Sequence, residues 1–195
     1  MNATLELAAL AARLVVDEGL EYAAAKRKAS KAARGARVEL PSNEAIEDAV
    51  REELALFHAD TQPAELRMLR EAALEWLERL AEFRPHVSGA VWRGTATARS
   101  AIHLDLYADD PKAPEIALLN LGVAFDAVDA GGGARGRALP VLALTATRRG
   151  QPPIDLFLSL HEADDLRGAL LPDGRGRAWR GDARALRRLL AGEST

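Results

Sequence analysis

The sequence predicts an α+β protein, helices first and sheet second. Through the first 83 residues apolar side chains recur at three- and four-residue spacings, the signature of helices with one buried stripe. After Arg84-Pro85 the texture changes to short runs rich in β-branched residues with period-two alternation, which suits strands. Glycine and proline clusters punctuate that second half, as connections in a mainly antiparallel sheet do. Helices segregated from strands in this way make one layered α+β unit, with residues 1–83 as the helical region and 84–195 as the sheet-bearing region.

Taken in order, Leu7, Leu10 and Leu14 define a first helix, which Gly19 kinks or divides. Ile46, Val50, Leu54 and Phe57 mark a second, opened by Pro41-Ser42, because a Ser side chain accepts from the orphan amides of a first turn. Leu66, Leu69, Ala73, Leu77 and Leu80 mark a third, opened by Asp60-Thr61-Gln62-Pro63, where Pro is tolerated in the first turn. Strands are expected over Val87 to Thr95, Ile102 to Ala108, Val123 to Val128, Leu139 to Thr147 and Ile154 to Leu160. A short helix over Pro114 to Leu121 follows the Asp109-Asp110-Pro111 turn, and Gly131-Gly132-Gly133 and Arg149 to Pro153 are connections. A capped helix from Asp182 to about Leu190 closes the chain, with Arg187 and Arg188 near its C-terminal end.

A chain of 195 residues buries a core of ordinary domain size, and 48% hydrophobic with 28% charged residues is a globular composition. The formal charge of -3 argues against general polyanion binding, which needs a net positive field or a strong local patch. Without cysteine there are no disulfides, thiolate metal sites or cysteine nucleophiles. Glu6, Arg13 and Asp17 interrupt the apolar N-terminus, so neither a signal peptide nor a membrane span is expected, and the cytoplasm is the expected location.

Chemistry concentrates in Arg93-Gly94-Thr95-Ala96-Thr97-Ala98-Arg99-Ser100-Ala101-Ile102-His103-Leu104-Asp105-Leu106. Along the strand from Ile102, Ala101, His103, Asp105 and Tyr107 share one face, while Ile102, Leu104 and Leu106 share the other. A polar face beside a Gly-Thr turn suits a phosphate and metal site. Asp155 likewise faces away from Ile154, Leu156 and Leu158, and an acid inside an apolar strand needs a reason.

From about Arg67 to His161 this order of features resembles the DNA polymerase beta-type nucleotidyltransferase superfamily, and the chain resembles a degenerate member. The runs Leu56 to Arg67 and Gly89 to Thr97 are also similar to those of short proteobacterial nucleotidyltransferase-like proteins. The resemblance implies a mixed, mainly antiparallel sheet with flanking helices. It also implies nucleotide contacts from Gly94, Thr95, Arg99 and Ser100, and Asp105, Asp155 and His103 as metal ligands and catalytic groups. Mg²⁺ or Mn²⁺ would be the cofactor of an active member, and none would be needed otherwise. The acid pattern is incomplete. If Ser100 is the family's serine, Ala101 and His103 stand where two acids are expected and Asp105 is a neighbour; if the register slips by two residues, His103 and Asp105 take those places. Mg²⁺ prefers oxygen ligands, so either register weakens it. The expectation is therefore a protein that binds a nucleotide or partner rather than transferring nucleotides, with an active metal-dependent transferase as the alternative.

Plainer alternatives stand beside this. Gly94 can serve a turn alone, His103 and Asp105 can be solvated, and Asp155 can pair with an arginine. The cations of Lys26, Arg27, Lys28, Lys31, Arg34 and Arg37 offer a local nucleic-acid surface or a solvated helix end that balances nearby acids. His58, His86, His103 and His161 show no close metal-ligand spacing, and Ser100, His103 and Asp105 lie too close along one strand for a hydrolytic triad. Self-association as a homodimer would require an uncovered stripe at Leu7 to Leu14 or Leu66 to Leu80.

Overall fold

A computed structural model describes residues 3–32, 39–130 and 139–192. It contains eight α-helices and a five-stranded mixed sheet among these residues, which is the α+β class the sequence predicts. The Gly131 to Gly133 connection, Arg34 and Arg37 lie outside the described residues. No helix among the described residues is long and apolar enough to cross a membrane.

The helices are α1 (Ala3–Glu18), α2 (Tyr22–Ala32), α3 (Asn43–Phe57), α4 (Gln62–Arg79), α5 (Gly89–Arg93), α6 (Ala113–Asn120), α7 (Asp165–Ala169) and α8 (Ala183–Gly192). The strands are β1 (His86–Ser88), β2 (Ile102–Ala108), β3 (Asp126–Ala130), β4 (Leu139–Ala146) and β5 (Ile154–Glu162), in the spatial order β1-β2-β5-β4-β3. Three of the four pairings are antiparallel; β2 and β5 run parallel. Contacts divide the chain into two compact units. One comprises Met1–Leu66 and Gly94–Ser100, the other Arg67–Arg93 and Ala101–Thr195.

In the first unit, Leu7, Ala11, Ala12 and Val15 of α1 bury against Ala25 and Ala29 of α2 and Ile46, Val50 and Leu54 of α3. The alanines let backbones approach closely, while Leu10 and Leu14, expected to lead the stripe, are only partly buried at its edge. Ser42 caps α3 as expected: its Oγ accepts from the Ala45 amide at 3.1 Å. Phe57, expected in that stripe, is the last residue of α3 and is exposed. Gly19 divides the expected first helix rather than kinking it: with φ +68 it follows the end of α1 at Glu18, and α2 begins at Tyr22.

The segment Gly94–Ser100 belongs to this helical unit and is fastened there by name. Gln62 donates to the carbonyls of Gly94 (3.3 Å) and Ala96 (2.9 Å), and the Glu65 carboxylate accepts from the Ala98 amide at 2.8 Å. Thr97 Oγ1 donates to the Val16 carbonyl at 3.4 Å, and Arg99 Nη1 donates to that of Asp17 at 2.8 Å.

In the second unit, Leu69, Ala73 and Leu77 of α4 and Leu80 just after it are buried, as their spacing predicts. Leu7 and Leu66 are also buried and Leu10 and Leu14 partly so, which does not support the uncovered stripe that self-association would require. One sheet face is apolar, built by Ile102, Leu104, Leu106, Leu142, Leu144, Leu156, Leu158 and Leu160. The expected strand from Val87 to Thr95 is the largest departure. Only His86–Ser88 pair with β2; Gly89 adopts φ 66 and the chain turns into α5, which ends at Gly94 with φ 80. Positive φ at both glycines permits two sharp reversals that a run of β-branched residues does not signal. The last helix begins as predicted, with Asp182 Oδ1 accepting from the Ala185 amide at 2.8 Å, but it continues to Gly192, so Arg187 is mid-helix and meets Glu78 at 2.6 Å.

A Cβ at Gly19 would lie 2.3 Å from the Arg99 carbonyl oxygen, on a backbone of left-handed φ. Gly19→Ala is therefore expected to destabilise the protein by about 2 kcal/mol or more, combining the left-handed penalty with a backbone clash. Urea denaturation checks this, and a loss below about 0.5 kcal/mol would mean that the close approach relaxes freely.

Candidate functional site

Register places the polar face of the sheet residue by residue. On β2, His103, Asp105 and Tyr107 stand beside Phe157, Ser159 and His161 of β5, and His86 and Ser88 of β1 stand beside Asp105 and His103. Thr145 of β4 pairs with Asp155. Paired residues point to the same side, so these side chains form one continuous polar face.

Half of that face is closed. Tyr107 and Asp105 are buried. His161 Nε2 lies 3.0 Å from Asp105 Oδ1, and the Tyr107 ring stacks on His161 at 5.0 Å and meets His86 edge-on at 5.7 Å. Arg180 reaches in from the segment before α8: its Nη1 donates to the Tyr107 hydroxyl at 2.6 Å and lies 3.1 Å from Asp105 Oδ2. Burial alone raises the Asp105 pKa, but the His161 hydrogen bond, the Arg180 charge and the Ser88 hydroxyl outweigh it, and the net shift is downward. An ionised Asp105 only accepts, so His161 carries its proton on Nε2. Burial first, and then the charge of Asp105, push Tyr107 up to about 12 against the opposing pull of Arg180, so it is a neutral phenol at neutral pH.

What brings Arg180 to Asp105 is a strap, residues 173–181, fixed at several points. The buried Asp173 carboxylate accepts from the amides of Arg175 (2.9 Å) and Arg177 (2.8 Å) through Oδ1, and from Arg93 (3.1 Å) and Arg177 Nε (3.1 Å) through Oδ2. Trp92 Nε1 donates to the Ala178 carbonyl at 2.9 Å, and the Arg93 guanidinium covers the Trp179 ring at 4.8 Å. Val87 and Gly181 exchange backbone hydrogen bonds of 2.9 and 3.0 Å, and a Cβ at Gly181 would lie 2.2 Å from the Trp92 ring, so only glycine fits there.

The other half of the face is open. His103 stacks on Phe157 with ring centroids 5.2 Å apart and 15° between planes. Beside Phe157 lies a cleft of about 390 Å³ lined by Phe125, Asp126, Thr145 and Asp155, with both carboxylates exposed.

The predicted site residues thus separate into three places. Gly94, Thr95, Arg99 and Ser100 belong to the helical unit, where Thr95 is buried with Oγ1 3.4 Å from the Tyr22 hydroxyl, and Ser100 Oγ accepts from the Thr97 amide at 3.0 Å. Asp105 lies in the closed half, and His103 and Asp155 in the open half. Asp105 pairs with Ser159, four residues along β5 from Asp155, which at about 3.3 Å per residue is roughly 13 Å. Among the described residues no group of three or more His, Asp or Glu side chains could hold a metal ion. The sequence does not mark the groups that engage Asp105: His161 sits one residue past the expected end of β5 at Leu160 and has no metal-ligand spacing, and Arg180 lies in a segment with no periodic signal.

No family model and no curated protein match the chain. Among solved structures it is similar to the Cid1 RNA terminal uridylyl transferase (TM-score 0.35, 22% identity, 48% of this chain and 30% of that one). It is also similar to the Cid1 poly(U) polymerase with MgGTP bound (0.33, 19%, 52% and 32%) and to Cid1 in complex with the UTP analogue UMPNPP (0.37, 17%, 56% and 36%). The chain spans about a third of the length of these proteins.

Asp173 gives the strap a pH dependence of known sign. The backbone amide of Arg177, with Arg93, Arg175 and the Arg177 charge, lowers its pKa from 3.8 to about 2 against the opposing effect of burial. A depressed carboxylate contributes stability that is complete above its ordinary value and is lost as pH falls toward its folded value. Asp173→Asn is expected to lower stability at neutral pH and to flatten its decline between about pH 4 and pH 2, measured by denaturant titration across that range.

Proposed function

We propose that the chain is a binding protein on a nucleotidyltransferase-like α+β fold, which holds a nucleotide by its base and does not transfer nucleotidyl groups. The observation that carries this is the β2–β5 register. Two-metal transfer needs carboxylates that share ions about 4 Å apart, whereas Asp105 and Asp155 are separated by roughly 13 Å of strand. The residues nearest Asp155 on β2 are Ala101 and His103, which favours the alignment with Ser100 as the family's serine and both acids replaced. These residues do not fit Mg²⁺: a methyl group offers nothing, and the imidazole is a poor ligand for so hard a cation, while for Mn²⁺ one imidazole and one carboxylate fall short of a two-metal site.

The open cleft suits a base better than phosphates. Phe125 and Phe157 line the cleft, and stacking on an aromatic ring is worth about 1–3 kcal/mol per base. Asp126 and Asp155 accept from amino and imino groups and repel phosphate oxygens. The loop expected to cradle phosphates has its Thr95 and Arg99 side chains engaged inside the helical unit.

Incubation with labelled nucleoside triphosphates and Mg²⁺ or Mn²⁺ should give no transfer product, while equilibrium dialysis with nucleosides and nucleotides should show binding that Phe157→Ala weakens about tenfold. Metal-dependent transfer lost on Asp155→Asn would instead establish an enzyme. Binding of no nucleoside or nucleotide would remove the base from the reading.

A further inference from the structure

Strand pairing gives the open cleft an internal order. His103 of β2, Phe157 of β5, Ala143 of β4 and Asp126 of β3 lie in one row across four strands, because each is the register partner of the next. Adjacent strands are about 4.8 Å apart, and the His103 and Phe157 rings stack with centroids 5.2 Å apart and 15° between planes. The two rings therefore stand upright on the sheet with their faces turned along the row. His103 covers one face of Phe157; the other is turned toward β4, where Ala143 carries only a methyl group, and both Phe157 and Ala143 line the cleft. A flat ring laid against that face continues the stack over Ala143, its long direction along the strands.

One end of that slot is polar. Two residues along β4 and β5 from Ala143 and Phe157 stand Thr145 and Asp155, partners of each other, whereas Val141 at the opposite end is buried. Among the described residues Asp155 has no hydrogen-bond or ion-pair partner, and no Lys or Arg lines the cleft. A hydroxyl such as that of Thr145 donates or accepts and favours no base, but a carboxylate only accepts and takes two adjacent donors at once. Of the four common bases, guanine alone sets two donors side by side, N1–H and the 2-amino group. Adenine and cytosine set an amino group beside a ring nitrogen that accepts, and uracil flanks its N3–H with two carbonyls, so each turns an acceptor toward the carboxylate and is repelled. We infer that the cleft selects guanine, with Phe157 stacking on the ring and Asp155 accepting from N1–H and the 2-amino group together. This rests on the base-binding reading and names the base and the residue that reads it.

The test is equilibrium dialysis of the full chain and its Asp155→Ala variant against guanosine, inosine, adenosine, cytidine and uridine. Inosine keeps N1–H and the 6-carbonyl of guanosine and lacks only the 2-amino group, so comparing the two isolates that one donor. The unsubstituted chain should bind guanosine at least about tenfold more tightly than inosine or any of the other three. In Asp155→Ala the guanosine-to-inosine ratio should collapse to within about twofold, as a double-mutant cycle requires of groups in direct contact. Asp155 is exposed, so its truncation leaves the core intact. Equal binding of all five nucleosides, weakened by Phe157→Ala, would overturn the guanine inference and leave the base reading standing. Tightest binding of another base, or a guanosine preference that survives Asp155→Ala, overturns the inference in the same way, whereas binding of none removes both.

Discussion

The parallel ladder between β2 and β5 is the constraint on which the rest depends. It is the one parallel pairing in the described sheet, and its register is held by two apolar rows, Ile102, Leu104 and Leu106 against Leu156, Leu158 and Leu160. A slip of one strand by one residue would turn its three buried leucine or isoleucine side chains onto the polar face and its polar set into the core. A slip of two would keep the faces but break the pairing of Asp105 with Ser159 and of Tyr107 with His161, on which the closed cluster is built. Hydrophobic burial thus fixes a polar geometry: the leucines decide which acids can meet.

That geometry splits a single sheet face into two chemical environments. In the closed half, a carboxylate, a phenol, an imidazole and a guanidinium are packed together, and charge rather than apolar area dominates. In the open half, two aromatic rings and two exposed carboxylates border a cleft, and water screens their charges. The closed half is reached by the strap. Its glycine at 181 lets the backbone pair with Val87 against the Trp92 ring, and one residue earlier Arg180 turns inward. A small residue and a long one in succession set the backbone close enough for the head group to reach Asp105.

Much of the fold is legible in the sequence, because long periodic segments report their own burial. The stripe from Leu69 to Leu80, the Ser42 cap, the limits of β2 and the inward face of β5 follow from spacing and side-chain chemistry. Val87 to Thr95 reads as a strand because Val87, Val91, Trp92 and Thr95 have high strand propensity, yet two glycines at positive φ decide that segment. The site is less legible for a related reason. Alternation puts His103, Asp105 and Asp155 on one face, but which of them meet depends on pairing between strands about fifty residues apart in sequence, for which local pattern holds no information. Of the partners of Asp105, His161 comes from that same strand β5 and Arg180 from a segment farther still along the chain.

The fastening of Gly94–Ser100 to the helices has a topological consequence. The chain leaves the sheet-bearing unit after Arg93, supplies seven residues to the helical one and returns at Ala101. No single cut therefore yields two complete halves. A fragment ending at Leu66 lacks the backbone that accepts from Gln62 and donates to Glu65, and one beginning at Arg67 carries a loop whose buried Thr95, Ala96 and Thr97 lose the helices around them. Because the helical unit is finished only when residues synthesised after α5 arrive, its closure is a long-range event, slower to form than the local helix contacts that precede it. The two units are thus interlaced in the order of the chain itself, and their independence as folding modules is partial by construction.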